Sequence, residues 1–412
     1  MKRFYQDHVP DGDLKNKQLK QIISTIKKVG NKDIPHYTKH SSGIFYSSNP
    51  DFDRKLDESH DLLGVDNGVY DFKTRTFRAG RPDDFISKSV GYPYIEEGTE
   101  EHEKKVMDLF RDIQPEPKEC HYLLLFLSLM VHGSNPEEIF TVFTGTTRNG
   151  KSLLSDLIIL TLGDYYATVS STLLTGEQPA SSSPQADIVA LKGCRVVVAS
   201  EPEKGRAINS GFMKWITGND EVVCRPLNSN TIIRYNPQFK VVMLCNKIPT
   251  MDSNDEAVWA RSRIVEFPTR FVDQPIQSHE RQINKTLKVD IKSIEWRQAF
   301  IKILIKYHEE YPKEGLVATE KVLQKTAEYK EKSSIVLQFV NEEIEDAVKG
   351  QNLTYVSIYQ RFCDWHSIHD GGRCPDSKFV KDELASLGWD LKKVKVNLSS
   401  LVGIAGKKYK NV

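Results

Sequence analysis

Between residues 139 and 152 the chain reads IFTVFTGTTRNGKS, where Gly145, four residues and then Gly150, Lys151 and Ser152 have the spacing of a phosphate-binding loop. The chemistry needs that order. An apolar, β-branched strand must end in a tight turn whose backbone N–H groups face phosphate oxygens, with a helix starting directly behind it. Gly145, Thr146, Thr147, Arg148, Asn149 and Gly150 form the cradle, and residues 153–162 supply the helix. Lys151 then reaches the β- and γ-phosphates of ATP, and the Ser152 hydroxyl sits on the Mg²⁺.

A P-loop alone leaves kinases, GTPases and motors open, so later residues must discriminate between them. CRVVVASEPEKG is an apolar run ending in Ser200, Glu201, Pro202 and Glu203, with Glu201 standing 50 residues past Lys151. One acid there holds the Mg²⁺ shell and a second polarises the attacking water. Glu201 is the first choice for the metal and Glu203 the second. KVVMLCNKIP is another apolar run, ending in Asn246, whose amide can hydrogen-bond the γ-phosphate or the lytic water. Taken by itself, an asparagine capping the turn before Ile248 and Pro249 is the plainer reading.

Between those runs, EVVCR and TIIRY flank residues 226–230 and predict a hairpin with a polar tip. Lys214, Arg225 and Arg234 lie on or near it and can touch a phosphate backbone, although solvated surface arginines give the same pattern. DEAVWARSRIVEFP then sets Arg261 and Arg263 on either side of Ser262. An arginine without an acidic partner can project toward a neighbouring subunit's γ-phosphate, and structural salt bridges compete for the same side chains. Two arginines allow one of each role.

These residues need elements to hold them. Residues 136–275 alternate strand-like runs with helical or loop segments, which predicts a parallel sheet with crossovers. Before it, residues 14–29 have helical apolar spacing, GVYDFKTRTFRAG and SKSVGYPYIEE read as strands or hairpin pieces, and CHYLLLFLSLMVHG reads as an apolar helix. Residues 1–135 are thus a mixed α/β or helical domain ahead of the core. Residues 276–350 read as a helical lid or linker. The tail, 351–412, reads helix, helix, β-hairpin, the order of a winged helix. The fold class is α/β, with a P-loop core between two accessory regions. The stretch TGEQPASSSPQAD reads as an exposed loop.

Composition narrows the class further. The 57 basic residues nearly cancel the 56 acidic ones, so any nucleic-acid surface must be local. Six scattered cysteines fit reduced thiols and an intracellular protein, and no run suits a signal peptide or a membrane span. Cys363, His366, His369 and Cys374 offer zinc-ligand types, but the first three share one helical spacing and read better as helix decoration.

The order GTTRNGKS, VVVASEPEKG, KWITGNDEVVCR, MLCNKIP and WARSRIVEFP, all within residues 145–267, resembles the superfamily 3 helicases of poxvirus and satellite-phage primase-helicases. LLGVDNGVYDFKTRTFRAGRPDDFISKSVGYPY is similar to the domain preceding the helicase core in that group, and YQRFCDWH with SKFVKDELASLGW resembles its terminal region. The resemblance implies an AAA+-like core, a homo-oligomeric ring of six subunits, ATP hydrolysis between subunits, and hairpins gripping single-stranded or forked DNA, with 3′ to 5′ movement. By motif it makes Lys151 and Ser152 the phosphate and Mg²⁺ ligands, Glu201 the metal-site acid, Asn246 the sensor, and Arg261 or Arg263 the finger. Thr147 stands where the family loop often has a glycine, and the hairpin tip lacks the Lys-His pair of some ring helicases. A primase is often fused upstream in such proteins. The carboxylates at 51–53 are too isolated to form a primase centre, so this chain is expected to make no primers and to be the helicase part of a longer polypeptide or a partner of replication proteins. A small-molecule P-loop kinase, or an ATP-switched DNA scaffold that does not unwind, would share the P-loop but lack DNA-stimulated turnover or strand displacement respectively.

Overall fold

The computed structural model describes residues 52–176, 183–202, 207–227, 232–252, 255–347, 351–369, 374–396 and 399–410. The helix expected over 14–29, Glu203, residues 228–230 of the expected hairpin tip and residues 177–182 of the Ser/Pro-rich loop lie outside them. The chain divides into two compact units, Met1–Leu56 and Asp57–Val412. In the first, the described part is a short helix, Phe52–Lys55.

The second unit begins with an antiparallel meander of β1 (Leu62–Val65), β2 (Gly68–Asp71) and β3 (Thr76–Arg78). SKSVGYPYIEE, expected as strand, is irregular chain beside β1. Val90 N donates to Gly64 O at 3.0 Å and Asp66 N to Tyr92 O at 3.1 Å, too few bonds to make a ladder. Helix α1 (Glu100–Ile113) buries Val106, Leu109, Phe110 and Ile113 along one stripe. Helix α2 (Pro117–Ser128) starts on a proline, which has no N–H to leave unpaired, and its apolar residues are buried on nearly every side.

The central sheet contains β4 (Phe140–Thr144), β5 (Tyr166–Val169), β6 (Val196–Ser200), β9 (Lys240–Leu244) and β10 (Ser262–Glu266), in the order β10-β4-β9-β6-β5 and all parallel. Helix α3 (Lys151–Leu162) follows β4, and helix α4 (Ser210–Thr217) precedes a hairpin of β7 (Val222–Cys224) and β8 (Ile233–Tyr235). Helix α5 (Glu256–Arg261) leads into β10. Parallel strands are covered on both faces, so their runs are continuously apolar. On β6, Val196 and Val198 enter one core while Val197 and Ala199 enter the other. Strand β5 has no clear sequence signal, because YATV is short and only half-buried.

Beyond β10 come β11 (Arg270–Val272), β12 (Glu280–Gln282), α6 (Ile294–Glu314) and α7 (Glu320–Ser333). Ser293 and Thr319 cap the two helices, accepting bonds from Trp296 N and Val322 N. The core on one sheet face runs from Leu63 to Val322, combining α1, α2, α3 and α6 with the sheet. Boundaries at 135 and 275 therefore do not separate packed interiors. The expected lid contributes a buried helix, because α6 places Phe300, Ile301 and Leu304 against the helices that precede the P-loop.

A smaller core, built on Phe339, Phe362, Trp365, Val380 and Leu384, organises the tail. The helical run expected to continue to residue 348 ends in β13 (Ile344–Asp346). Then follow β14 (Asn352–Thr354), α8 (Tyr355–His369), α9 (Ser377–Ser386), β15 (Lys392–Val396), β16 (Ser399–Ala405) and β17 (Lys407–Tyr409). Helix, helix and hairpin appear in the expected order, with β14 completing a three-stranded sheet.

Candidate active site

The register of three strands assembles the site. β9 lies between β4 and β6, with Leu244 opposite both Phe143 and Ser200. The residues just beyond the strand ends, Gly145, Asn246 and Glu201, must therefore converge at the carboxyl edge of the sheet. They do: Asn246 N donates to Glu201 Oε2 at 2.8 Å, and Asn246 Oδ1 accepts from Lys151 Nζ at 3.3 Å.

Lys151 is buried, and its ammonium also bonds Gly145 O at 2.8 Å and Thr146 O at 3.3 Å. Burial pulls its pKa below the ordinary lysine value. Left-handed backbone falls at Gly145, Arg148 and Gly150, with φ of 142°, 60° and 89°. The non-glycine position with left-handed backbone is thus Arg148, while Thr147, where the resembled loop often has a glycine, does not have a positive φ. The loop reverses at Arg148 while its carbonyl accepts from Phe271 N at 2.7 Å. A Cβ at Gly145 would fall 2.6 Å from both Asn149 Nδ2 and Phe267 O. Asn149 is itself buried, and its Nδ2 has no partner among the described residues. That leaves a donor inside the loop for an acceptor that the protein does not supply.

A cavity of about 1140 Å³ opens beside the loop. Its walls include Leu109 and Asp112 of α1, Arg148 and Leu153 on the loop side, and Phe271 and Trp296. Ser152 is exposed and lines it. The α1, Phe271 and Trp296 contributions were not among the residues expected from sequence. No local pattern marks them, since only docking brings α1 against Gly150, where Ile113 would lie 2.9 Å from an added Cβ.

The two arginines differ. Arg261 Nη2 pairs with Glu138 Oε2 at 2.6 Å, and its Nη1 donates to Lys214 O at 3.1 Å, so the expectation of an arginine free of acids does not hold there. Arg263 Nη1 bonds the carbonyls of Ala260 at 2.6 Å and Ser262 at 2.8 Å. In register it stands opposite Thr141, toward the amino end of the sheet, whereas the P-loop leaves the carboxyl end.

The hairpin basic residues are held within the chain. Lys214 Nζ pairs with Asp255 at 2.6 Å and Arg234 with Glu221 at 2.9 Å. Arg225 accepts from Gln185 N through its carbonyl at 2.9 Å. Leu227 and Ile232, which flank the tip, are 63% and 54% exposed. The tail lysines are also engaged, Lys392 by Asp390, Lys407 by Asp346 and Lys408 by Glu345. Cys363 and Cys374 meet, Sγ to Sγ, at 2.6 Å, while His369 turns to Trp365 O and Glu342. No cluster of ligand types suited to a metal forms among the described residues. None of their helices is long and apolar enough to cross a membrane.

Residues 12–127 match the family described as D5 N terminal like. The chain is similar to a "Putative helicase" of Acanthamoeba polyphaga mimivirus, 33% identical over 393 residues, covering 90% of this chain and 40% of that protein. A "Putative helicase" of Frog virus 3 is 24% identical, covering 90% and 45%. A "Putative primase" of African swine fever virus is 24% identical, covering 77% and 34%. The apo C-terminal region of NrS-1 is similar in structure, with 13% identity, 77% of each chain covered and a TM-score of 0.43. The helicase and primase names of these viral relatives bear out the resemblance drawn from the motifs. The chain spans less than half the length of these curated relatives.

Proposed function

We propose that the chain is the ATP-driven helicase part of a viral primase-helicase, acting on single-stranded or forked DNA as a ring, six-membered in the resembled family, with nucleotide between neighbouring copies. One observation carries the reading: Lys151, Asn246 and Glu201 meet at the carboxyl edge of the sheet, while Arg263 lies toward the opposite edge. Thr144 lies three residue steps beyond Thr141, about 10 Å of strand, and Arg263 bends away from its own P-loop. In this reading its charge serves another subunit's phosphates rather than those at its own loop.

In this reading Lys151 exchanges the carbonyls of Gly145 and Thr146 for β- and γ-phosphate oxygens. The N–H groups at the start of α3 and the buried Asn149 amide donate to the same phosphates. Ser152 and Glu201 would hold Mg²⁺, which supplies charge neutralisation on the phosphates when bound. Asn246 orients water, with Glu203 the second acid. Arg263 rather than Arg261 serves as the finger in trans, since Arg261 is already committed to Glu138. The cavity beside Phe271 has room for the nucleoside. The hairpin, with Lys214, Arg225 and Arg234, is the DNA contact, and a primase region or other replication proteins are the partners.

ATP turnover measured with and without single-stranded DNA, together with strand displacement on a fork, tests the proposal. DNA-stimulated turnover and unwinding are expected. Full-rate hydrolysis by a monomer that ignores oligonucleotides would sink it, and DNA binding without displacement would leave only a scaffold.

A further inference from the structure

Three segments that such a motor must coordinate lie far apart in sequence and meet at one carboxylate. Glu138 stands two residues before β4, the strand that carries the P-loop, and its φ of 49° is left-handed. Glu138 Oε2 receives Arg261 Nη2 at 2.6 Å, at the junction of α5 and β10. Glu138 Oε1 accepts from Asn219 Nδ2 at 2.9 Å, in the short link between α4 and the hairpin strand β7. The same Asn219 amide donates to Asn135 O at 3.1 Å, while the buried Asn135 returns a bond to Thr217 O at 2.9 Å. Arg261 closes the circuit by donating to Lys214 O near the end of α4.

We infer that Glu138 is a positioning residue that couples the hairpin to the arginine junction, so that load on the hairpin is felt at the neighbouring nucleotide. The inference rests on the motor reading above. Its physical basis is that one side chain cannot follow two partners that separate. Displacing the hairpin draws Asn219 away from Glu138 or draws Glu138 away from Arg261, and Arg261 is two residues from Arg263. A carboxylate with one bond on each oxygen is an element that both sites can bias, which is the requirement for coupling. Arg261 is then a strut whose orientation sets the neighbouring Arg263, and the left-handed turn at Glu138 fixes the carboxylate relative to the P-loop strand.

Two variants separate the arms. Glu138→Gln retains an acceptor for Asn219 but loses the ion pair with the guanidinium, and Asn219→Ala, at an exposed position, removes the hairpin arm together with its bond to Asn135 O while leaving the Arg261 pair. With the full chain, the readouts are basal ATP turnover, the KM for ATP, the melting temperature and the factor by which single-stranded DNA stimulates turnover. Each variant is expected to keep basal turnover and KM within about twofold and to lose about fivefold or more of the DNA stimulation, the range of ordinary allosteric couplings. The double variant should lose no more than the worse single one, because both break the same link. Parent-like stimulation in both single variants overturns the inference. So does a parallel fall of basal turnover and melting temperature, which would make Glu138 a structural brace. A parent protein that DNA does not stimulate defeats the motor reading itself, and this inference with it.

Discussion

Lys151 carries the most specific chemical expectation in the chain. Its ammonium is already turned into the loop, held by Gly145 O, Thr146 O and Asn246 Oδ1. Lys151→Ala is expected to abolish ATP turnover, and near-normal rates in that variant would refute the P-loop assignment. Glu201 bonds Asn246 N through one oxygen, and the residue is exposed. Glu201→Gln should therefore keep ATP binding, measured by calorimetry, while turnover falls by about 10²-fold or more, the usual worth of one preorganised electrostatic contact to the transition state. Equal losses in binding and turnover would instead mark Glu201 as a structural cap. These residues were legible from spacing. The strain at Arg148 was not, because which loop residue becomes left-handed depends on its bond to Phe271.

Among elements, the hairpin was readable from alternating apolar runs around a polar tip, and β7 and β8 pair as antiparallel strands. Its charge state was not readable. Glu221 and Asp255, which neutralise Arg234 and Lys214, come from the facing part of the hairpin and from the turn before α5. Both pairs are well exposed and contribute little to stability, so DNA phosphates can compete for either cation. Arg225→Ala combined with Arg234→Ala should weaken single-stranded DNA binding, measured by fluorescence anisotropy, while basal turnover survives. Unchanged affinity would move the DNA contact elsewhere, with exposed Leu227 and Ile232 next in line. The irregular SKSVGYPY stretch shows the reverse failure of local reading: its β propensity was real, but the edge of β1 accepts only scattered bonds.

For the whole molecule, the site at one edge of the sheet and Arg263 toward the other make mixed assemblies informative. Inactive Arg263→Ala and Lys151→Ala subunits, combined in demonstrably mixed rings, should recover part of the ATPase activity where an intact P-loop meets an intact arginine. No recovery would count against action in trans. A second property belongs to the packed unit. His132 and His308 stack with ring centroids 4.9 Å apart. Burial and Lys240 hold His132 at about 4, and burial, His132 and Lys240 hold His308 at about 3. Arg195 and Asp61 also face His132, and Arg75 lies near His308. Because both folded values lie below the ordinary 6.5, the stability these rings contribute is fully present above pH 6.5 and is lost as pH falls toward 4. Melting temperature should therefore drop through that window, and His308→Phe should flatten the slope. An unchanged slope would assign the acid sensitivity to other groups.

The P-loop, the ends of the strands carrying Glu201 and Asn246, the paired arginines and the helix-helix-hairpin tail were all determined by sequence alone. Each depends on spacing within a short segment and on an apolar period that only one element type satisfies. Tertiary structure decided the rest. It made α1, α2 and α6 part of the core against the central sheet, gave the loop of Gly145 to Ser152 its cavity, and separated Arg261 from Arg263 through Glu138, a residue more than 120 positions away in the chain. Such partners are chosen by which surfaces must be buried together, and that is a property of the packed molecule.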